Sequence, residues 1–181
     1  VLGLAFMPSQ WFNRMETIET YQQDASAMGR INAWTFAYNL AQDRPLVGGG
    51  FGAFDPRLFQ KYAPVPEDFH DAHSIYFEVL GEQGYVGLAL FLALWFAAFR
   101  TGAAVTKTAN GHESLVWARD LTAMIQVSLV GYAVGGAFLG LAYFDLPYHL
   151  MAILVLTRTV VENELGNERA VGTRKFIYTS S

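Results

Sequence analysis

A histidine and an arginine are the residues of this chain best suited to acid–base and anion chemistry. His73 lies in DAHSIYFEVLGEQG, residues 71–84, where a long polar stretch meets an apolar one. Asp71 can act as an N-cap, and apolar residues then repeat at helical spacing, so the pattern predicts a helix with His73 in its first turn. The helix dipole there favours a neutral imidazole, which could accept a hydroxyl proton. The alternative is a histidine that only hydrogen-bonds the adjacent loop.

Arg30 belongs to a second predicted helix, residues 24–42, which must end before Pro45. Trp34 follows four residues later, so the two side chains project from nearly the same side. Two interpretations stay open. The guanidinium could lie over the indole ring as a cation–π contact, or it could bind phosphate oxygens in a bidentate manner. The apolar stripe of this helix is predicted to be Ala27, Ile31, Trp34, Tyr38 and Ala41.

A glycine-rich segment, LVGGGFGAF at residues 46–54, follows that helix. It is not a Walker loop, because no Lys-Ser or Lys-Thr follows, and no βαβ strand precedes it to favour a dinucleotide fingerprint. It is either a tight turn or a place where backbone N–H groups approach a phosphate closely, which glycine permits. The glycines concerned are Gly48, Gly49, Gly50 and Gly52.

The composition is that of a membrane protein with an aqueous loop. Only 15% of the 181 residues are charged, against roughly 25% in soluble domains. Residues 84–99 and 121–144 carry no charge at all. The formal charge of −4 and the lack of a basic stripe argue against a nucleic-acid partner. His70 and His73 flank Asp71 without a convincing third ligand, so no metal or other cofactor is expected.

The alternation of polar and apolar stretches predicts a polytopic membrane protein. The segments are the end of a transmembrane helix (1–6), a loop domain (7–83), a transmembrane helix (84–106), a connection (107–117), two more transmembrane helices (118–144 and 146–161) and a polar, flexible tail (162–181). Because the chain begins inside an apolar segment, we interpret it as the C-terminal part of a larger protein. Basic residues beside the connection and in the tail indicate that these are cytoplasmic, with the loop domain on the outer side. Asp145 either caps the last helix or forms a functional pair with His149.

Three segments occur in an order that resembles a known superfamily. GRINAW (29–34), DRPLVGGGFGAF (43–54) and DAHSIYFEVLGEQGYVGL (71–88) precede a membrane helix. This arrangement resembles the C-terminal core of the bacterial O-antigen ligase and polymerase superfamily, over about residues 24–100. FDLPYH (144–149) is similar to a segment of the exosortase-A-associated O-glycosylation ligases. Many ligases have asparagine after the histidine, whereas this chain has Ser74, which can still donate and accept a hydrogen bond.

The resemblance implies a mainly α, GT-C-like glycosyltransferase of the bacterial inner membrane, with the loop domain in the periplasm. Such enzymes are metal-independent and inverting. They transfer a glycan from undecaprenyl pyrophosphate to an acceptor hydroxyl on a lipid, a glycan or a protein. A polymerase that joins repeat units on the same lipid carrier is the alternative within the superfamily. A non-catalytic membrane transporter or scaffold is the alternative of another class.

The resemblance also assigns site residues. His73 and Arg30 match the loop histidine and a loop arginine of the family and would be catalytic. A further arginine of the family lies upstream and matches either Arg14, as a residue that binds substrate, or a residue that precedes this chain. The remaining residues expected to bind substrate are Gly49, Gly50, Gly52 and Ser74.

Overall fold

The structure, a computed structural model, describes the backbone of residues 25–179 and the side chains of residues 26–167. Within this part the regular structure is helical: α1 (Ala25–Asp43), α2 (Pro56–Tyr62), α3 (Ile75–Ala109), a 3₁₀ turn (Glu113–Leu115), α4 (Val116–Gly136) and α5 (Asp145–Thr179). The prediction of a mainly α fold is confirmed for the part described. The predicted segment 1–6 and Arg14 lie outside it. The chain divides into two compact units, Val1–Leu88 and Ala89–Ser181.

The core of the first unit forms where α1 packs against α2. The rings of Phe36 and Phe59 stack with centroids 4.2 Å apart, and Phe59 meets Phe69 edge-on at 4.9 Å. The short helix α2 is well capped, because Asp55 accepts hydrogen bonds from two backbone N–H groups and Pro56 occupies the first helical position. The buried residues of this core are Ala33, Phe36, Ala37, Leu40, Ala53, Phe59 and Tyr62.

The apolar stripe predicted for α1 was wrong at two of its five positions. Ile31 and Tyr38 are exposed, whereas Ala41 of the stripe is buried, as are Phe36 and Leu40, which the stripe did not include. Polar and apolar residues are distributed all around this helix, so its sequence period does not select one face. The buried face is instead the one that meets the phenylalanines of the loop and of α2.

A polar cluster ties the C-terminal end of α1 to α2. The Tyr62 hydroxyl donates to the Asp43 carboxylate, and the Lys61 ammonium donates to the Tyr62 hydroxyl at 2.7 Å. The hydrogen bond from Tyr62 and then the charge of Lys61 hold the pKa of Asp43 below its ordinary value of 3.8.

The helix α3 begins later than predicted and contains a kink. Its first residue is Ile75, and the Ser74 carbonyl accepts from the Glu78 N–H at 2.8 Å, so Ser74 is the N-cap. Asp71, the predicted N-cap, instead accepts from the next N–H along the chain, that of Ala72. Gly84 interrupts the helix with φ +67°.

Among the residues that the structure describes, α3 is the one helix long and apolar enough to cross a membrane. Of its most apolar 18-residue window 28% is buried, so most of that window is open to the surroundings. Neither α4 nor α5, each of which was predicted to contain a transmembrane segment, meets this criterion in the part of the chain that is described. The polytopic arrangement and its orientation therefore remain predictions.

In the second unit the helix bounds depart from the predictions at two places. α4 ends at Gly136, eight residues before the predicted end at 144, and the chain then turns. α5 starts at Asp145 and continues to Thr179, so the predicted flexible tail is helical backbone. The imidazole of His149 lies 2.8 Å from the backbone carbonyl of Asp145 rather than beside its carboxylate. Asp145, in the first turn, is placed favourably for the helix dipole.

Candidate active site

Asn32 fastens α1 to the irregular loop that leads to His73. Its side-chain amide donates to the carbonyls of Val65 and Asp68, both at 2.8 Å, and its oxygen accepts from the Val65 N–H at 3.0 Å. Asn32 is buried, so these bonds satisfy a side chain that water cannot reach. They also fix the path of a loop with little regular structure of its own.

Two further residues of the GRINAW segment hold the same loop. A Cβ atom at Gly29 would lie 2.8–3.0 Å from three ring atoms of His70, so only glycine lets the imidazole pack this closely. The indole N–H of Trp34 donates to the Ala72 carbonyl at 2.7 Å, and its ring stacks on Phe77 at 4.9 Å. Ala72 is the residue before His73, so Trp34 positions the backbone that carries the histidine.

His73 lies outside the helix rather than in its first turn, which corrects the prediction. It precedes the N-cap Ser74 and has φ +42°, a left-handed conformation that residues other than glycine adopt rarely. Its side chain is exposed. Across the described residues, no hydrogen bond or ion pair engages the imidazole. The ring is therefore open to solvent and to a substrate, on a backbone fixed by its neighbours.

Arg30 is half-buried on α1, one turn before Trp34. Its guanidinium makes no hydrogen bond, ion pair or ring contact with the part of the chain that is described. The cation–π interpretation is therefore wrong for this structure, in which the indole stacks on Phe77 instead. Its five N–H donors are therefore without acceptors in that part of the chain, and a guanidinium of this kind can bind an anion. No contact joins Arg30 to His73, and Trp34 is the residue that links their two segments.

The glycine-rich segment is a turn that locks onto the kink of α3. The N–H groups of Gly49 and Gly50 donate to the carbonyls of Gly81 and Glu82, at 2.9 and 2.8 Å. The Gly52 N–H donates to the Glu82 carboxylate at 2.7 Å. These three N–H groups therefore have acceptors within the protein, and the predicted contact with phosphate has no free backbone donor at these positions.

Close approach of the two backbones explains why glycine is needed once in the turn and once at the kink of α3. A Cβ atom at Gly48 would lie 2.5 Å from the Gly81 carbonyl oxygen, and one at Gly84 would lie 2.6 Å from the Pro45 carbonyl oxygen. Both residues also have positive φ, +58° and +67°. The turn and the kink thus require each other, since neither backbone can take a side chain at the contact.

Glu82 is a buried carboxylate at the centre of this contact. One of its oxygens accepts from the Gly52 N–H, while the other is buried without a hydrogen-bond partner among the described residues. A buried carboxylate on a helix is unusual. Its hydrogen bond fastens the glycine-rich turn to α3, which makes Glu82 a positioning residue for that turn.

The sequence profile of the O-antigen ligase family matches residues 1–92, which is half of the 181-residue chain. The chain belongs to the O-antigen ligase family. A search of the curated proteins and one of the solved structures each gave no match. The matched range includes the three loop-holding residues of α1, the glycine-rich turn and His73. Family membership supports a glycan ligase or polymerase type of function in a membrane setting.

Within this O-antigen ligase domain, the predicted site residues differ in how far they are buried and bonded by the rest of the protein. Arg30 and His73 are without protein partners in the described part, whereas the turn glycines and Ser74 are engaged or enclosed. Ser74 is only 1% exposed, which does not favour the substrate contact predicted for it. Arg14 lies outside the described residues, and its role stays a prediction.

Sequence reasoning missed three residues that position the site: Gly29, Asn32 and Glu82. An asparagine in the middle of a helix was the available signal for Asn32, because asparagine is a poor helix former and competes for backbone hydrogen bonds. A lone acid at the edge of an uncharged run was the signal for Glu82. Nothing in the sequence indicated that Gly29 contacts the His70 ring.

Proposed function

We propose that the protein transfers a glycan from undecaprenyl pyrophosphate to an acceptor hydroxyl at the outer face of the bacterial inner membrane. The observation that carries this proposal is the pair of unpartnered groups, a guanidinium and an imidazole, held by one set of loop contacts. The family membership supplies the type of reaction. A lipid-linked sugar pyrophosphate presents the anion that suits Arg30, and an acceptor hydroxyl presents the proton that suits His73.

In the proposed reaction one bond forms and one breaks at the anomeric carbon. The acceptor oxygen attacks that carbon while its proton passes to the imidazole of His73. The bond from the anomeric carbon to the pyrophosphate oxygen breaks, and the oxygen leaves with the electron pair. Arg30 stabilises the charge that grows on the leaving group, since a guanidinium matches phosphate oxygens geometrically. Attack opposite to the leaving group inverts the anomeric configuration, and no metal ion takes part in the proposal.

The arrangement fits the division of roles between the two residues. The exposed imidazole can reach an acceptor that arrives from solvent. The half-buried guanidinium acts in a less polar environment, where its attraction for an anion is stronger than in water. The supporting contacts from Asn32 and Trp34 keep both segments in place before substrate binds, which reduces the reorganisation needed during reaction.

The test is glycan transfer by the full-length protein in membranes, with a defined undecaprenyl-linked donor and candidate acceptors. We expect His73→Ala to lower the rate about 10²–10⁴-fold and Arg30→Ala about 10²–10³-fold. Arg30→Lys should retain part of the activity, because it keeps the charge but not the bidentate geometry. Matched controls are Arg57→Ala and His112→Ala, which change exposed residues of the same types outside the site.

Three results separate the proposal from its alternatives. Transfer at the parent rate by both site variants would remove the proposed roles. Product that grows only by repeat units on the lipid carrier would identify a polymerase. A scaffold or transporter would be favoured if no acceptor received glycan and if Arg30→Ala bound the donor as tightly as the parent.

A further inference from the structure

The glycine-rich turn presents an apolar tip to the surroundings. Leu46 and Val47 are each 69% exposed, and Phe51 is 78% exposed. Residues 45–54 carry no charge. Single exposed apolar residues are ordinary on a protein surface, but three on one short uncharged turn form an exposed apolar patch, which is typical of surfaces that contact membrane or protein.

Backbone hydrogen bonds fix this tip beside the start of the apolar part of α3. Besides the bonds to Gly81 and Glu82, the Tyr85 N–H donates to the Pro45 carbonyl at 2.8 Å. The Tyr85 hydroxyl also accepts from the Gln42 amide at 2.7 Å. Tyr85 is the first residue after the kink and stands at the start of the uncharged run 84–99. The tip is therefore anchored beside the kink of α3, where the uncharged run 84–99 begins.

We propose that Leu46 and Val47, together with Phe51, are immersed in the interfacial layer of the lipid bilayer. The surface of α3 favours lipid as the occupant, because most of its apolar window is not covered by protein. Tyrosine is typical of the membrane interface, as Tyr85 would be here. Arg44 precedes the tip and can extend its long side chain to lipid phosphate groups.

The immersed tip would set the depth of the active site. The loop that carries His73 and the turn that carries Leu46 both pack within the first unit. Immersion of the turn would thus hold the site near the headgroup layer, where a lipid-linked pyrophosphate lies. This last consequence rests on the proposed function, whereas the immersion itself does not.

Single cysteines can test the immersion, because residues 1–181 contain none and any cysteine elsewhere in the full-length protein can first be replaced by serine. Leu46→Cys and Val47→Cys variants of the full-length protein are labelled with bimane and placed in vesicles of phosphatidylethanolamine and phosphatidylglycerol. Arg57→Cys is the control, since the Arg57 side chain is 95% exposed and charged. Lipids brominated near the top of the acyl chain should remove about half of the emission at 46 and 47, because interfacial apolar groups settle about 5–10 Å into the boundary. The emission at 57 should respond to aqueous iodide instead.

Two outcomes would overturn the proposal. If iodide quenches the bimane emission at positions 46 and 47 as strongly as at position 57, and brominated lipid does not quench it, the tip lies in water. Protection from both quenchers would place another protein segment over it. Thermal unfolding at the parent temperature verifies that the variants fold. The depth measurement does not depend on glycan transfer, so its failure and that of the proposed function are distinguishable.

Discussion

The left-handed backbone of His73 allows its catalytic and structural contributions to be separated by substitution. At φ +42° a residue with a Cβ atom is strained against its own carbonyl group by about 1–2 kcal/mol. Glycine removes this strain but loses about 0.5–1 kcal/mol more in conformational entropy on folding than alanine does. His73→Gly should therefore be more stable than His73→Ala by about 0.5–1 kcal/mol. Asparagine, which tolerates the same conformation, should fall between them.

The side chain itself adds little to stability, because the imidazole is exposed and unpartnered among the described residues. A difference of 1 kcal/mol shifts the unfolding temperature of a domain of this size by about 2–4 °C. We thus expect the glycine variant to unfold about 2 °C above the alanine variant. Both variants should lose glycan transfer by the same factor, since both lack the imidazole.

The assay pairs thermal unfolding in detergent with transfer from a defined lipid-linked donor. Added imidazole should restore more activity to His73→Gly than to His73→Asn, because glycine leaves the greater space at an open site. Equal unfolding temperatures for the glycine and alanine variants would refute the left-handed backbone. Equal transfer by His73→Gly and the parent would refute the acid–base role, whatever the stability.

Three further predictions concern the residues around the site, and each is measured by thermal unfolding. Gly48→Ala should lower the free energy of unfolding by about 1–3 kcal/mol more than Gly50→Ala does. Both residues have positive φ, but only a Cβ atom at Gly48 would meet backbone atoms of α3. Equal losses of stability in the two variants would contradict the close contact. Glu82→Ala should lower the free energy of unfolding by about 0.5–1.5 kcal/mol by removing the acceptor of the Gly52 N–H, while Glu82→Gln, which keeps an acceptor oxygen, should lower it less. The reverse order would contradict the role of this hydrogen bond. Tyr62→Phe removes the hydrogen bond that is the main cause of the lowered pKa of Asp43. A lowered pKa stabilises the folded state above pH 3.8, and this stabilisation is lost as the pH falls below that value. The parent should therefore be more stable than the variant near neutral pH, and the two should converge in acid; a difference independent of pH would contradict this.

The helices of the first unit were predictable because local residues define their ends. The predicted range 24–42 agrees with α1 to within a residue at each end, since Pro45 cannot continue the helix. The short helix α2 also depends on local residues, because Asp55 and Pro56 start it by capping. The Asn110-Gly111 pair, a sequence typical of turns, forms a turn with Gly111 at φ +85°.

The start of α3 and the kink at Gly84 were not predictable, because distant residues decide them. Asp71 and Ser74 are both acceptable caps, and the contact between Ala72 and Trp34 selects the later one. The positive φ of Gly84 depends on the approach of Pro45, almost forty positions earlier in the chain. Local sequence patterns contain no information about such a pairing.

The residues of the candidate site come from the resemblance and their roles stay predictions, whereas their geometry was not predictable from the sequence. The resemblance selected Arg30 and His73, and the structure shows both without protein partners in the described part. The resemblance could not show that the N–H groups of the turn glycines donate to acceptors within the protein, because the sequence does not reveal whether a backbone N–H has a partner. Nor could spacing reveal that Asn32 binds a loop 33 positions away.

The residues that carry the family resemblance form two groups: those whose polar groups have hydrogen-bond partners and those whose polar groups do not. Asn32, Trp34 and the turn glycines meet the local rules of folding, because their donors all have acceptors. Arg30 and His73 depart from those rules: one is a half-buried cation without a counter-charge among the described residues, and the other adopts a strained backbone. Departures of this kind persist where the surrounding contacts enforce them, and they are concentrated at functional sites. The enforcing contacts here are those of Asn32 and Trp34, so the GRINAW segment contains both the proposed anion-binding arginine and the residues that hold the adjacent loop.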